Sequence, residues 1–137
     1  MACIVYDDMQ GKSATNTGKG RKAELIARAH LVEAGWLIID SNQYIAGGEL
    51  DLIAIDPKKV LVFVEVKSAW TETSGRPQAQ VHRKKQVYLW RAASAWIARH
   101  KVKDQRMRFD VIAIRMHQGC VQIEHLQDAF AGPSASY

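Results

Sequence analysis

Residues 48–67 read GELDLIAIDPKKVLVFVEVK, and this stretch decides the fold. Two apolar runs flank the turn sequence Asp56-Pro57-Lys58-Lys59, where the proline fixes φ and prevents a helix or a central strand from continuing. The segment therefore predicts a β-hairpin made of strands 49–56 and 60–67. Because the second strand is apolar on both faces, we expect it to lie in the centre of a sheet.

Charged side chains interrupt these two apolar strands. In a hairpin closed by this turn, the numbers of opposed residues sum to about 115 to 117, so Asp51 falls opposite residues 64 to 66. Side-chain alternation selects Glu65 as its partner on the same face and places Lys67 there as well. Directly opposed Cβ atoms lie roughly 5 Å apart, so the carboxylates repel each other unless a divalent cation or a lysine lies between them.

The rest of the sequence surrounds the hairpin with helical and strand patterns. Helices are predicted at 21–34 and 81–100, and strands at 36–40, 109–115 and 120–124, the last at an edge. The second helix is a crossover long enough to make its flanking strands parallel. The chain is therefore predicted to be a single α/β domain with an αβββαβ core, in which helices flank a mixed central sheet.

Outside this domain, at 19–131, we expect a flexible N-terminal arm at 1–18 and a flexible tail at 132–137. The composition of the 137 residues, with 47% hydrophobic and 24% charged side chains, is typical of a globular protein and excludes a coiled coil. No apolar run approaches the roughly 18 residues that span a bilayer, and the N-terminus does not resemble a signal peptide. We therefore expect a cytoplasmic protein that has no membrane partner.

The formal charge of +5 is unevenly distributed along the chain. Residues 67–108 contain eleven Lys and Arg against two acidic residues, a net +9, whereas the remainder carries −4. Such a basic half indicates a polyanionic partner such as nucleic acid, although a solvated basic face would give the same composition.

The acidic residues suit Mg²⁺ or Mn²⁺, which bind hard oxygen ligands and keep several waters. Asp51 and Glu65 would hold the ion, and Lys67 would orient or deprotonate a water molecule or neutralise developing charge. Glu24, at the edge of the first helix, can reach the same pocket as a further ligand or through metal-bound water, and Glu49 is a weaker candidate ligand. The alternative is a structural ion cluster of Asp51, Glu65 and Lys67 at the strand end.

Basic side chains around the start of the second helix are candidate phosphate ligands: Arg76, Arg83, Lys84 and Lys85. Positive side chains interact unfavourably with the helix dipole at the N-terminal end of a helix, which indicates a negatively charged partner. A solvated basic turn is the alternative. Aromatic residues Tyr88, Trp70 and Trp96 could stack on bases, or they could belong to the core or to a dimer contact.

Several segments together match a known pattern: GRKAE at 20–24, Asn42, GELDLIAID at 48–56, FVEVK at 63–67, Gly75-x-Pro77, Lys85-Gln86 and RFDVIAI at 108–114. On these segments, residues 19–115 resemble the YraN-type bacterial family. That family is similar to archaeal Holliday-junction resolvases and belongs to the PD-(D/E)xK nuclease superfamily. Two departures are visible, since Ala23 stands where the family usually has glycine and Ser68-Ala69 replaces a usual Thr-Arg.

The resemblance implies a restriction-endonuclease-like core with Asp51, Glu65 and Lys67 as the catalytic triplet and Glu24 as the carboxylate of the first helix. It also implies a homodimer, because junctions have two-fold character. We therefore expect a metal-dependent nuclease that hydrolyses phosphodiester bonds, in DNA rather than RNA, with branched or junction structures among the candidate substrates. Two alternatives stay open: a non-catalytic nucleic-acid-binding module, and a protein whose basic side binds an acidic partner protein.

Overall fold

The computed structural model describes residues 16–69 and 81–132. Its helices and strands follow in the order α1 (Asn16–Glu33), β1 (Leu37–Ile45), β2 (Gly48–Ile55), β3 (Leu61–Ala69), α2 (Arg83–Arg99), β4 (Met107–His117) and β5 (Cys120–Phe130). This order confirms the predicted αβββαβ core, a restriction-endonuclease-like arrangement to which β5 adds one more strand. Most of the predicted arm and tail lies outside the described residues. None of the described helices is long and apolar enough to cross a membrane.

The five strands form one sheet in the order β1-β2-β3-β4-β5. The β3 and β4 strands are parallel, as the crossover helix predicts, whereas the other neighbours are antiparallel. The β2–β3 ladder runs from Ile55 opposite Leu61 to Leu52 opposite Val64, so opposed numbers sum to 116. The predicted hairpin, its register and the central position of β3 are therefore confirmed.

The first strand is longer than the sequence predicts. The predicted strand stops at residue 40, but residues 41–45 continue β1, with Tyr44 opposite Glu49 and Ile45 opposite Gly48. Ala46 and Gly47 then close the hairpin with φ values of 52° and 81°, the positive values that a two-residue type I′ turn requires. Among the described strands β1 lies at the edge of the sheet, where its polar side chains can face water.

One helix covers each face of the sheet. The α1 helix buries Ala23, Ala27 and Leu31 on the face that also carries Leu52 and Val64. The helix ends at Glu33, and it is followed by Gly35, where φ is +87° and the backbone N–H donates to the Val32 carbonyl, as in a glycine-terminated helix.

The α2 helix covers the opposite face with Leu89, Ala92, Ala93 and Trp96. On the same helix, Trp90 is 36% exposed, whereas Trp96 is 4% exposed. Leu89, Ala92, Ala93 and Trp96 follow the i, i+3, i+4, i+7 spacing of one helix face, and Trp90 lies outside that stripe.

Under α1, an arginine joins two buried carboxylates. The guanidinium of Arg108 donates to Asp56 Oδ2 at 2.6 Å and to Asp110 Oδ1 at 2.9 Å. Asp110 is fully buried and also contacts His125 Nε2 at 2.8 Å and accepts a hydrogen bond from the Asp128 N–H at 3.0 Å. This network joins the β2–β3 turn to β4 and β5.

Candidate functional site

The candidate site lies where β2 and β3 diverge. The last ladder pair is Leu52 opposite Val64, and one position beyond it the carboxylate of Asp51 accepts a hydrogen bond from the Val66 N–H at 2.9 Å. The Asp51 side chain thus takes the place of a backbone acceptor on β2. Asp51 is thereby fixed between the open ends of the two strands.

Asp51 and Glu65 meet at this position, where same-face pairing predicts them. Burial, followed by the negative charge of Glu65, raises the pKa of Asp51 to about 8, although the Val66 N–H acts in the opposite direction. Glu65 is only 7% exposed and shares a side-chain hydrogen bond with Asp51. The site therefore places the buried carboxylate of Glu65 against the partly buried carboxylate of Asp51, where their mutual repulsion favours a nearby cation.

A lysine from α2 supplies positive charge to this pair. Lys85 forms an ion pair with Glu65, and although burial opposes the charged form, this contact raises the pKa of Lys85. Burial and the neighbouring Lys85 lower the pKa of Lys67, whereas Glu65 acts in the opposite direction. Lys85 was predicted as a phosphate ligand, and its contact with Glu65 was missed because no local pattern reports which turn of α2 faces β3.

On the α1 side, Asp51 opens into a cavity of about 500 Å³. The cavity is lined by Gly20, Arg21, Glu24, Asn42, Tyr44, Glu49, Asp51 and Val66. Glu24 Oε1 accepts a hydrogen bond from Asn42 Nδ2 at 2.7 Å, so the helix carboxylate is oriented by β1. The structure therefore places Glu24 and Glu49 in the same cavity as Asp51.

On the α2 side, Asp51 lines a second cavity of about 210 Å³. Its walls are formed by Gly47, Gly48, Glu49, Asp51, Glu65, Lys85, Tyr88 and Leu89. Asp51 and Glu49 line both cavities. The acidic centre, formed by Glu49, Asp51 and Glu65, is therefore accessible from both faces of the sheet.

The predicted phosphate ligands are distributed unevenly. Arg83 and Lys84 are exposed on the first turn of α2, next to Lys85, whereas Arg76 lies outside the described residues. Trp96, a candidate for base stacking, is buried and donates from Nε1 to Asp40 Oδ2 at 2.9 Å, so it belongs to the core. The other candidate tryptophan, Trp70, also falls outside the described part of the chain.

The donor set fits one class of metal ion. Within residues 16–69 and 81–132, no group of three or more His, Cys, Asp or Glu side chains is placed to hold a metal. Asp51 and Glu65 offer two carboxylates in contact, which suits Mg²⁺ or Mn²⁺, since these ions bind through one or two carboxylates and retain water. The tetrahedral nitrogen and sulfur ligands typical of zinc are not brought together in this part of the chain.

Known sequences and structures are similar to this chain. The profile of Uncharacterised protein family UPF0102 matches residues 23–114. A UPF0102 protein of Geotalea uraniireducens is 41% identical over 118 residues, covering 85% of this chain and 92% of that protein. One from Geobacter sulfurreducens is 43% identical over 112 residues, with coverage of 81% and 87%.

Among solved structures, Pyrococcus furiosus SfsA in complex with Ca²⁺ is similar, with a TM-score of 0.35 and 14% identity. That match covers 80% of this chain and 62% of the SfsA chain. The profile match and the two bacterial relatives show that this chain belongs to the UPF0102 family, which is the YraN family that the sequence resembles.

Proposed function

We propose that the protein is a metal-dependent nuclease that hydrolyses phosphodiester bonds in nucleic acid, with DNA as the preferred substrate and branched or junction structures as candidates. The observation that carries this proposal is the contact of the buried Glu65 carboxylate with the partly buried Asp51 carboxylate, at the open end of β2 and β3. Burying two acids side by side is unfavourable, which is typical of a site that binds a cation.

Asp51 and Glu65 would hold Mg²⁺ or Mn²⁺, which would lower the pKa of a bound water and neutralise charge on the phosphate oxygens. Lys67, on the β3 face that carries Glu65, would orient or deprotonate the attacking water or offset charge that develops in the transition state. Glu24 would act through water rather than as a direct ligand, because Asn42 holds its carboxylate at 2.7 Å on the α1 wall of the cavity.

Lys85 connects the acidic pair to the basic face. With a cation on the carboxylates, the ammonium of Lys85 would not be needed to neutralise Glu65 and would be available to contact a phosphate beside Arg83 and Lys84. The net +9 of residues 67–108 supports a polyanionic substrate. A cytoplasmic location and a homodimer remain part of the proposal.

The ion pair also favours a second candidate function. Because Lys85 already neutralises Glu65, the same arrangement suits a nucleic-acid-binding module that keeps the nuclease fold and has no catalytic activity. Such a module would bind DNA in a salt-sensitive way without turnover. Charge reversal at Arg83 to Lys85 would weaken its binding, and substitution of Lys67 would not.

The test is incubation of the protein with linear, flapped and four-way DNA and RNA in Mg²⁺ or Mn²⁺, followed by gel analysis of the products. Asp51→Ala and Lys67→Ala should abolish cleavage. Asp104→Asn and Lys58→Ala are matched controls, because both residues are exposed and line neither cavity at the acidic pair, and these variants should cleave like the unmodified protein. The proposal is refuted if no substrate is cleaved, or if cleavage persists in Asp51→Ala and Lys67→Ala.

A further inference from the structure

Two exposed tyrosines flank the acidic centre. Tyr44, on β1, is 77% exposed and lines the α1-side cavity, and Tyr88, on α2, is 40% exposed and lines the α2-side cavity. Asp51 and Glu49 belong to both cavities. The two aromatic rings therefore lie on opposite sides of the acids.

Local contacts hold both tyrosines in place. Tyr44 is directly opposite Glu49 in the β1–β2 ladder, and the neighbouring Glu49 carboxylate raises the pKa of its phenol. Tyr88 belongs to the turn of α2 that packs against Gly48, where an added Cβ would lie 2.7 Å from the Tyr88 carbonyl oxygen. The strand that carries Asp51 thus pairs with the strand of Tyr44 and packs against the backbone of Tyr88.

The exposed tyrosine rings do not belong to the hydrophobic core. Among the described residues, the large aromatic side chains that are exposed are Tyr44, Tyr88 and Trp90, and two of the three line the cavities at the acidic pair. Aromatic rings normally bury their large apolar area, so exposed rings beside a candidate site point to a ligand with an apolar flat face. A nucleobase has such a face, whereas a phosphate does not.

We propose that Tyr44 and Tyr88 stack on the nucleobases on either side of the phosphate at the acidic centre, so that the substrate is a strand whose bases are unpaired at the site of cleavage. This inference rests on the proposed function for the identity of the ligand. Bases in a continuous duplex are covered by their neighbours and expose no face to a side chain, whereas unpaired bases can be splayed apart and stacked on rings.

The geometry of the two cavities explains why the strand must be open. A backbone that passes Asp51 from one cavity to the other carries one base toward Tyr44 and the next toward Tyr88, on opposite sides of the sheet end. Successive bases of a duplex stack in the same direction and cannot separate in this way. Flaps, single strands and unpaired junction nucleotides satisfy this requirement.

Binding of a fluorescently labelled single-stranded DNA and of its duplex, measured by anisotropy, tests the inference. Asp51→Asn is the parent, so that cleavage does not interfere, and Tyr44 and Tyr88 are replaced together by Phe or together by Ala. Stacking on a base contributes about 1–3 kcal/mol, so the Ala pair should bind the single strand at least about fivefold more weakly. The Phe pair should bind like the parent, and the affinity for the duplex should stay unchanged. Leu37→Ala is the control, because Leu37 is 63% exposed on β1 and does not line either cavity.

A base analogue such as 2-aminopurine in the single strand gives a second readout, since stacking should quench its fluorescence with the Phe pair and not with the Ala pair. The inference is overturned if no variant binds single strands, if the Ala pair binds them within twofold of the parent, or if duplex binding weakens equally. Failure of the proposed nuclease gives a different result, namely normal tyrosine-dependent binding by Asp51→Asn but no cleavage by the unmodified protein. A melting temperature for each variant shows that it is folded.

Discussion

Replacing Asp51 by asparagine should stabilise the protein in the absence of divalent metal ions. An asparagine has nearly the same shape, and its amide oxygen can still accept the hydrogen bond from the Val66 N–H while its NH₂ group donates to Glu65. The substitution therefore keeps the local contacts and removes one of two adjacent acids, the partly buried one next to the buried Glu65. If the variant is more stable, the acidic side chain of Asp51 lowers the stability of the fold, as is typical of a residue retained for function.

The size of the effect follows from the raised pKa of Asp51, about 8 in the folded protein against 3.8 as the ordinary value. The folded protein binds the proton of the Asp51 carboxyl more tightly than the unfolded chain does. The contribution of Asp51 to stability is therefore fully present below the pKa of the unfolded chain and is lost as pH rises through the pKa of the folded protein. The loss amounts to about 1.4 kcal/mol per pH unit within that window. At pH 7 we expect Asp51→Asn to be more stable by about 2–4 kcal/mol, since partial hydration of the site reduces the full linkage value of about 4.

Urea denaturation followed by tryptophan fluorescence, in EDTA at several pH values between 5 and 8, measures this difference. The gap between Asp51→Asn and the unmodified protein should widen with pH, whereas Asp104→Asn should show no such trend because Asp104 is exposed. Added Mg²⁺ should narrow the gap, because a ligand that binds only the folded unmodified protein stabilises it by mass action. The reasoning is refuted if Asp51→Asn is less stable at pH 7, or if the gap does not depend on pH.

Two further predictions concern the framework around the site. Arg108→Met should lower the free energy of unfolding by about 3–5 kcal/mol, because it leaves the buried carboxylates of Asp56 and Asp110 without their cation. Because hydrogen bonds in the native state lower the pKa values of Asp56 and Asp110 despite their burial, their contribution is present above the unfolded pKa near 4 and is lost as pH falls through the lower folded values. Urea titrations from pH 6 to pH 2 check both effects, and a loss below 1 kcal/mol for Arg108→Met would contradict the first. Gly48→Ala should cost about 1–3 kcal/mol, because the added Cβ would lie 2.7 Å from the Tyr88 carbonyl, and an unchanged melting temperature would argue against this close packing.

The hairpin that carries the acids could be predicted because its determinants are local. Its turn and the alternation of side chains are written within 20 consecutive residues, 48–67, and they fix which residue lies opposite Asp51. The parallel pairing of β3 and β4 was also predictable, since a long helical connection leaves the chain at the correct end for a parallel strand.

The ion pair of Lys85 could not be predicted in the same way. It depends on which turn of α2 faces Glu65 after the crossover, and this rotation is set by the packing of Leu89 and Trp96 on the sheet. The length of β1 was underestimated for a different reason. Its polar residues belong to the strand because their backbone pairs with β2, and this pairing leaves no hydrophobic pattern in the sequence of β1. In both cases the deciding interaction lies outside the segment being read.

The spacing of the strands along the chain has a consequence for how the molecule assembles. Two residues separate β1 from β2 and five separate β2 from β3, whereas 37 residues separate β3 from β4. Short loops close at a smaller entropic cost than long ones, so we expect the three-strand meander to form early and the crossover helix to dock late. Asp51 and Glu65 would then lie next to each other before Lys85 is in contact with Glu65. The folding chain would therefore experience the repulsion between the two carboxylates while β4 and β5 are still unpaired.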